Sequence, residues 1–338
     1  MNPSPKPWLL SLAFLVLGAV GIALGSAMGS TGWEPWWQAV QQGGVDPVSW
    51  QIVWDIRLPR TLGAWAGGAL LGLAGALAQG LFRNPLADPY LLGSASGASL
   101  GVAIFLSLFG GSVMAMGWLV KVGMTGAAFV GAVLAVMLTL VLARGVQQTL
   151  RLLLAGVVVG VVLGAITSFL NLWRPEVWQG MQGFMLGSTG FIGWTACVLM
   201  CGVLLLCSAL AVVMARVLDA LTLGENTALS LGVPLSQARV WLIAVIALAT
   251  GTAVAQMGLI AFVGLAAPHV VRAMVRATHR WTVVLAALTG GLLLLLADLL
   301  ARGLIAPQEM PVGVLTAVLG GGYLLWRMSR MSSVGGRS

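Results

Sequence analysis

Uninterrupted apolar runs of about 20 residues are the feature that most restricts what this chain can fold into. A helix rises 1.5 Å per residue, so roughly 20 residues cross the ~30 Å hydrocarbon core of a bilayer. Such runs fill most of the 338 residues, of which 59% are hydrophobic and 8% charged, against about 25% charged in soluble domains. A soluble fold could not bury that much apolar surface. The sequence therefore predicts an all-α polytopic membrane protein, with residues 1–338 forming a single transmembrane domain.

The apolar runs predict about ten transmembrane helices. Their ranges are 8–28, 61–81, 91–108, 117–142, 152–171, 191–214, 239–256, 258–275, 282–300 and 311–328. The division within 239–275 depends on Gln256, Met257 and Gly258 alone, and a single helix there would invert the topology of everything after it. The first run could instead be a cleavable signal peptide. We interpret it as the first span, because it is longer than a usual signal core.

The distribution of basic residues predicts the orientation, because short cytoplasmic loops carry the excess of Lys and Arg. With the N-terminus inside, twelve basic residues fall on the cytoplasmic side and five on the other. The cytoplasmic set is Lys6, Arg83, Arg144, Arg151, Arg216, Arg239, Arg272, Arg276, Arg280, Arg327, Arg330 and Arg337. The outer set is Arg57, Arg60, Lys121, Arg174 and Arg302. Both termini are therefore predicted to be cytoplasmic, and the net charge of +8 requires no nucleic acid partner.

Catalytic and metal-binding patterns do not emerge from the sequence. A nucleotide-binding loop needs G-x-x-x-x-G-K-[ST], and the two lysines, Lys6 and Lys121, precede Pro7 and Val122. Any ATPase must therefore be another chain. The two histidines, His269 and His279, and the three cysteines of one span, Cys197, Cys201 and Cys207, form no metal-ligand spacing. We predict no catalytic residue, no metal and no cofactor in this chain.

Ionisable residues near the bilayer midplane would indicate an ion-coupled carrier, but the acidic residues lie almost wholly in loops or at span ends. Asp298 is the nearest exception. We interpret it as interfacial and paired with Arg302 one turn away. A carrier that works alone is disfavoured by this pattern but stays open.

The longest cytoplasmic loop, residues 215–237, is a candidate docking segment. It reads as a short-helix pair, Leu218–Leu223 and Glu225–Leu231, separated by Gly224 and stopped by Gly232 and Pro234, the usual stop signals of a helix. Asp219 and Glu225 make it acidic on a basic face. A solvated connector is the alternative.

Three further features stand out on the chain. Gly156, Gly160 and Gly164 form a stripe that favours close helix packing, with a moving gate as the alternative. The segment 82–89 contains two prolines and predicts a fixed turn. Arg57, Arg60 and Arg302 on the outer side could receive carboxylates of a partner protein or anchor to lipid headgroups.

Six sequence blocks resemble the permeases of binding-protein-dependent importers for ferric siderophores, haem and vitamin B12. They occur in the same order along nearly the whole chain and comprise residues 57–61 (RLPRT), 84–89 (NPLADP), 152–156 (LLLAG), 223–225 (LGE) with 231–234 (LGVP), 262–265 (FVGL) with Pro268 and His269, and 310–316 (MPVGVLT).

This resemblance implies a ten-helix subunit of the bacterial inner membrane that pairs with a second copy around a central pathway. Two ATP-binding subunits, which hold ATP and Mg²⁺, and an extracytoplasmic substrate-binding protein would complete the machine. It further implies that the loop residues couple to the ATPase, and that Arg57, Arg60 and Arg302 dock the binding protein. The coupling residues would be Leu218, Asp219, Leu223, Gly224, Glu225, Leu231 and Gly232.

By the same resemblance, Asn84 and Leu86 match a cytoplasmic gate and Thr149 falls in a second gate loop. Gln147, Gln148 and Leu150 depart from the pattern of the B12 permease. The matched blocks are shared by siderophore, haem and corrinoid importers. We expect an iron chelate as cargo, with cobalamin as the alternative and a stand-alone proton-coupled carrier as the rival class; an intramembrane enzyme would need a catalytic cluster.

Overall fold

The computed structural model describes residues 6–28, 47–109, 117–143 and 149–335, and helices make up nearly all of them. We number the α-helices in chain order. They are α1 (Pro7–Ala27), α2 (Pro47–Gln51), α3 (Leu58–Phe82), α4 (Ser94–Phe109), α5 (Gly117–Leu142), α6 (Thr149–Trp173), α7 (Pro175–Leu186), α8 (Trp194–Thr222), α9 (Glu225–Ser230), α10 (Leu235–Met257), α11 (Val263–Met274), α12 (His279–Gly303) and α13 (Val312–Gly335). A π-helical segment, Ile52–Arg57, joins α2 to α3, and a 3-10 helix, Pro89–Leu92, precedes α4.

The predicted fold class is confirmed. Among the described residues, seven helical stretches are long and apolar enough to cross a membrane: Pro7–Ala27, Pro47–Phe82, Val122–Leu142, Leu150–Trp173, Trp194–Thr222, Leu235–Met257 and His279–Gly303. Two shorter apolar helices, Ser94–Phe109 and Val312–Tyr323, coincide with the predicted third and tenth spans. Two of the basic residues used for the orientation, Arg144 and Arg337, lie outside the described residues.

Two predicted segments need correction, and one helix was not predicted. The eighth predicted span, 258–275, contains only the 12 helical residues of α11, about 18 Å of helix, which is too short to cross a bilayer alone. The segment Leu218–Leu223 is not a separate helix, because α8 continues through it to Thr222. Helix α7 was not predicted; it begins directly after α6, with only Arg174 between the two helices.

Helix α3 is the centre of the bundle. Nearly every residue from Gly63 to Phe82 is buried, and three of its glycines let neighbouring backbones approach closely. A Cβ at Gly68, Gly72 or Gly75 would lie 2.3, 2.2 or 1.7 Å from a backbone carbonyl oxygen of α12 or α11. Small residues permit this kind of close packing in lipid, where the hydrophobic effect does not drive helices together.

The two ends of α3 define the two ends of the bundle. Arg57 and Arg60 mark the arginine end, and Arg83 marks the loop end, where residues 215–237 lie. Large apolar side chains remain exposed on the outer helices, among them Leu172 of α6 and Leu205 of α8 at 82% and 72%. Exposed apolar side chains are expected for helices that contact lipid or another chain.

Candidate functional site

The loop between α8 and α10, which was predicted to couple to an ATPase, contains a single short helix between two glycines with positive φ. Gly224 (φ 102°) precedes α9 and Gly232 (φ 77°) follows it. Only glycine adopts these φ values at low cost. The short helix predicted over Glu225–Leu231 is present between these glycines and ends at Ser230.

This loop presents leucines outward. Leu223, Leu229 and Leu231 are 63%, 56% and 63% exposed. Leu218, the first of the predicted coupling residues, is instead fully buried, because it lies on the inner face of α8. The predicted coupling set therefore divides into an exposed apolar surface around α9 and an anchor inside the bundle.

The acidic residues of the loop attach it to three other elements. Glu225 accepts from Arg239 of α10 at 2.7 Å and from Arg83 at the end of α3 at 3.3 Å. Asp219 Oδ1 lies 2.7 Å from His279 Nδ1 and accepts from the His279 backbone N–H at 3.0 Å, at the start of α12. Glu225 thus ties α9 to α3 and α10, and Asp219 ties the end of α8 to the start of α12. The sequence identified both acids but not their partners.

The predicted gate turn is fixed by its own backbone. Arg83 adopts a left-handed conformation (φ 50°) that ends α3, and Asn84 Oδ1 accepts the backbone N–H of Leu86 at 2.9 Å, an Asx turn. Leu86 is 60% exposed at its tip. Burial raises the pKa of Asp88, whose carboxylate accepts the Tyr90 N–H at 2.8 Å. Gate roles for this turn and for Thr149, the first residue of α6, stay predictions.

Of the three glycines in the α6 stripe, only Gly156 is closely approached by another backbone segment of the described chain. A Cβ at Gly156 would lie 2.0 Å from the Leu91 carbonyl oxygen, so α6 packs directly on the 3-10 helix behind the gate turn. A Cβ at Gly160 would lie 3.6 Å from the Ser96 hydroxyl oxygen, and a Cβ at Gly164 would have no described neighbouring atom within 4 Å. Close helix packing at Gly164 therefore stays a prediction, as does the moving gate.

At the arginine end, two of the three predicted docking residues, Arg60 and Arg302, contact a buried carboxylate. Asp298 is fully buried and accepts from Arg60 Nε and Nη2 at 3.3 and 3.2 Å and from Arg302 Nη2. The pairing of Asp298 with Arg302 is confirmed. Asp298 lies near the end of α12 and is buried inside the bundle; the interfacial position stays a prediction. The Thr189 hydroxyl donates to the same carboxylate at 2.5 Å.

The arginines differ in how deeply each guanidinium is buried and in how many hydrogen bonds it forms within the chain. Arg302 is 1% exposed and donates to the Gly25 carbonyl and the Thr61 hydroxyl at 3.0 and 3.1 Å. Arg57 is 6% exposed and donates to the Ala27 carbonyl at 2.8 Å. Their buried positions argue that both stabilise the bundle in this conformation, whereas docking by either stays a prediction.

Arg60 reaches toward the surface. Its Nη1 and Nη2 meet the two carboxylate oxygens of Glu309, each at 2.9 Å, and Glu309 lies on the exposed loop after α12. Glu309 and Thr189 were not predicted as site residues. An acidic residue in an outer loop close to three unmatched arginines could have indicated Glu309; nothing in the sequence indicates Thr189.

The end of α7 and the segment after it contact two other places where helices are interrupted, the break at 258–262 and the start of α13. The Leu259 N–H donates to the Phe184 carbonyl at 2.9 Å and the Ser188 N–H to the Met257 carbonyl at 2.8 Å. A Cβ at Gly313 would lie 2.3 Å from the Leu186 carbonyl oxygen. Irregular backbone at membrane depth needs partners of this kind, so the break at 258–262 that shortens α11 is satisfied by the segment after α7.

These features define a polytopic membrane protein whose spanning helices are interrupted by shorter helices and breaks. The described residues contain no group of three or more His, Cys, Asp or Glu side chains placed to hold a metal ion. The model of the FecCD transport family matches residues 12–330, nearly the whole chain. The chain belongs to this family of permeases of ABC importers.

Curated relatives agree over their full lengths. The chain is 40% identical over 338 residues to the hemin transport system permease protein HmuU of Yersinia pestis, covering 98% of both chains. It is 35% identical to the Fe(3+) dicitrate permease FecD of Escherichia coli (94% of this chain, 98% of FecD) and to the vitamin B12 permease BtuC of Salmonella typhi (94% of each).

Solved structures support the fold. An inward-facing metal-chelate type ABC transporter matches with a TM-score of 0.82 and 27% identity, covering 95% of this chain and 100% of the other. The PsaBC complex of Streptococcus pneumoniae matches with a TM-score of 0.56 at 15% identity, covering 79% and 88%; at that identity the likeness concerns the fold alone.

Proposed function

We propose that this chain is the membrane conduit of an importer that carries an iron chelate, with haem as the first candidate, across the bacterial inner membrane. The observation that carries the cargo assignment is the 40% identity to a hemin permease over 98% of both chains, against 35% for the dicitrate and B12 permeases. Cobalamin is the second candidate, because that permease matches over 94% of both chains.

The energy source is a separate ATPase, held at the loop end. Leu223, Leu229 and Leu231 offer an exposed apolar surface on a short helix, and the ion pairs of Glu225 connect this helix to α3 and α10. A helix-in-groove contact suits such a surface. This placement makes the loop end cytoplasmic, with both termini inside, as the basic residues predict.

The chain works as one half of a permease dimer, with an extracytoplasmic binding protein at the arginine end. The exposed apolar faces of α6 and α8 supply area for a second copy and for lipid. Arg60 is the docking residue best placed to meet a partner carboxylate, because its guanidinium already holds the exposed Glu309.

The test is uptake by the complete transporter in proteoliposomes, with the cognate ATPase and binding protein. We expect ATP-dependent uptake of a haem or ferric chelate and none of cobalamin. Preferential uptake of cobalamin would make cobalamin the cargo in place of the iron chelate. Uptake driven by a proton gradient without any ATPase would establish the stand-alone carrier instead.

A further inference from the structure

A cavity of about 470 Å³ opens at the loop end between α8 and the start of α12. None of the exposed leucines around α9 lines it, although Asp219 of the predicted coupling set does. Its lining combines two arginines with apolar side chains and comprises Val212, Val213, Ala215, Arg216, Asp219, Thr278 and Arg280. We propose that this cavity binds the headgroup of an anionic phospholipid.

The charge of the cavity favours an anion. Arg216 and Arg280 are both exposed, and neither forms an ion pair or hydrogen bond with any residue of the described segments. Asp219 is the acidic residue of the lining, and its Oδ1 is engaged by His279. Two guanidiniums therefore face the cavity against one carboxylate that already has a partner.

The apolar part of the lining continues into a surface suited to acyl chains. Val198, Leu205 and Val213 of α8 are 64%, 72% and 66% exposed, and their spacing places them on one side of the helix. Arg216 follows Val213 by three residues, so the same side ends in a positive charge at the loop end. An apolar stripe that ends in a basic pocket fits an amphiphile with an anionic head.

A lipid explains the site better than the ATPase does, because the cavity joins the exposed apolar side of α8, whereas the exposed leucines of the predicted coupling loop lie around α9. Basic pockets between transmembrane helices at the cytoplasmic boundary are known binding places for anionic lipids. Guanidinium groups also bind phosphate oxygens in a bidentate manner.

The experiment is native mass spectrometry of the purified full chain, titrated with phosphatidylglycerol and, separately, with phosphatidylcholine. At about a factor of five for each basic residue near an anionic surface, the double substitution Arg216→Gln, Arg280→Gln should weaken phosphatidylglycerol binding roughly 30-fold. Phosphatidylcholine binding should not change.

The matched control is Arg151→Gln, Arg276→Gln, which removes the same charge from two exposed residues that do not line the cavity; it should leave phosphatidylglycerol binding within about twofold. The variant Arg216→Lys, Arg280→Lys should retain most of the binding, because the charge stays. Equal binding by wild type and the Gln variant would overturn the proposal. So would an equal loss of phosphatidylglycerol binding in the control.

Discussion

Replacing Asp298 by Asn should destabilise the bundle more than any other single charge substitution at the arginine end. The carboxylate is fully buried and is shared by Arg60, Arg302 and Thr189. Asparagine keeps the size but leaves the Arg302 guanidinium, itself 1% exposed, without its counter-charge. Breaking a buried ion pair from one side costs about 3–5 kcal/mol, because the remaining charge stays desolvated.

The assay is thermal unfolding of the purified full chain in lipid nanodiscs, followed by tryptophan fluorescence. At about 2 °C per kcal/mol for a chain of this size, Asp298→Asn should lower Tm by roughly 6–10 °C. The double variant Asp298→Asn, Arg302→Met removes the orphaned charge as well, so it should be more stable than Asp298→Asn alone. The Glu309→Gln variant, changed at a partly exposed site, should shift Tm by less than about 2 °C.

A Tm for Asp298→Asn within about 2 °C of wild type would refute this reasoning, since it would mean that water reaches the carboxylate. A double variant no more stable than the single one would refute the pairwise account, because the cost would then come from packing and not from an unmatched charge.

Three further outcomes follow from the same structure. Glu309→Gln should tighten docking of the binding protein about 2–5-fold, because the substitution removes a carboxylate that competes for Arg60. Titrating the binding protein and measuring the stimulation of ATP hydrolysis tests this. Weaker docking would mean instead that Glu309 itself contacts the binding protein. Leu223→Asp should reduce association with the ATPase at least about tenfold without lowering Tm, and unchanged co-purification would argue against this coupling surface. Gly75→Ala should lower the free energy of unfolding by about 1–3 kcal/mol, because the new Cβ would collide with a carbonyl oxygen of α11. Gly202→Ala has open space around it and should change that free energy by less than about 0.5 kcal/mol. Equal effects of the two substitutions would contradict the close packing at Gly75.

The sequence was sufficient for the spans because membrane helices are long apolar runs whose ends are marked by charge, Gly and Pro. It was insufficient where helices are short or interrupted. The 12 residues of α11 belong to an apolar run that looks long enough to span, yet the backbone breaks at 258–262, where Phe262 adopts φ 67°. Helix α7 was hidden because the polar residues of 175–186 resemble those of a loop.

The candidate site was predictable in its residue types but not in its contacts. Asp219, Glu225 and the arginines stood out because charges are rare in this chain. Their partners lie far along the sequence, as with Arg60 and Asp298, which are 238 positions apart. Such pairs depend on tertiary packing, so neither the burial of Arg302 nor the contact of Thr189 with Asp298 could be read from local pattern.

ATP hydrolysis by the complete transporter in proteoliposomes tests the central claim most directly. The chain and its ATPase should hydrolyse ATP slowly alone and faster when cargo-loaded binding protein is added. Leu223→Asp should abolish this stimulation while Gly202→Ala preserves it. A chain that neither associates with an ATPase nor changes its rate, with or without binding protein, would contradict the account.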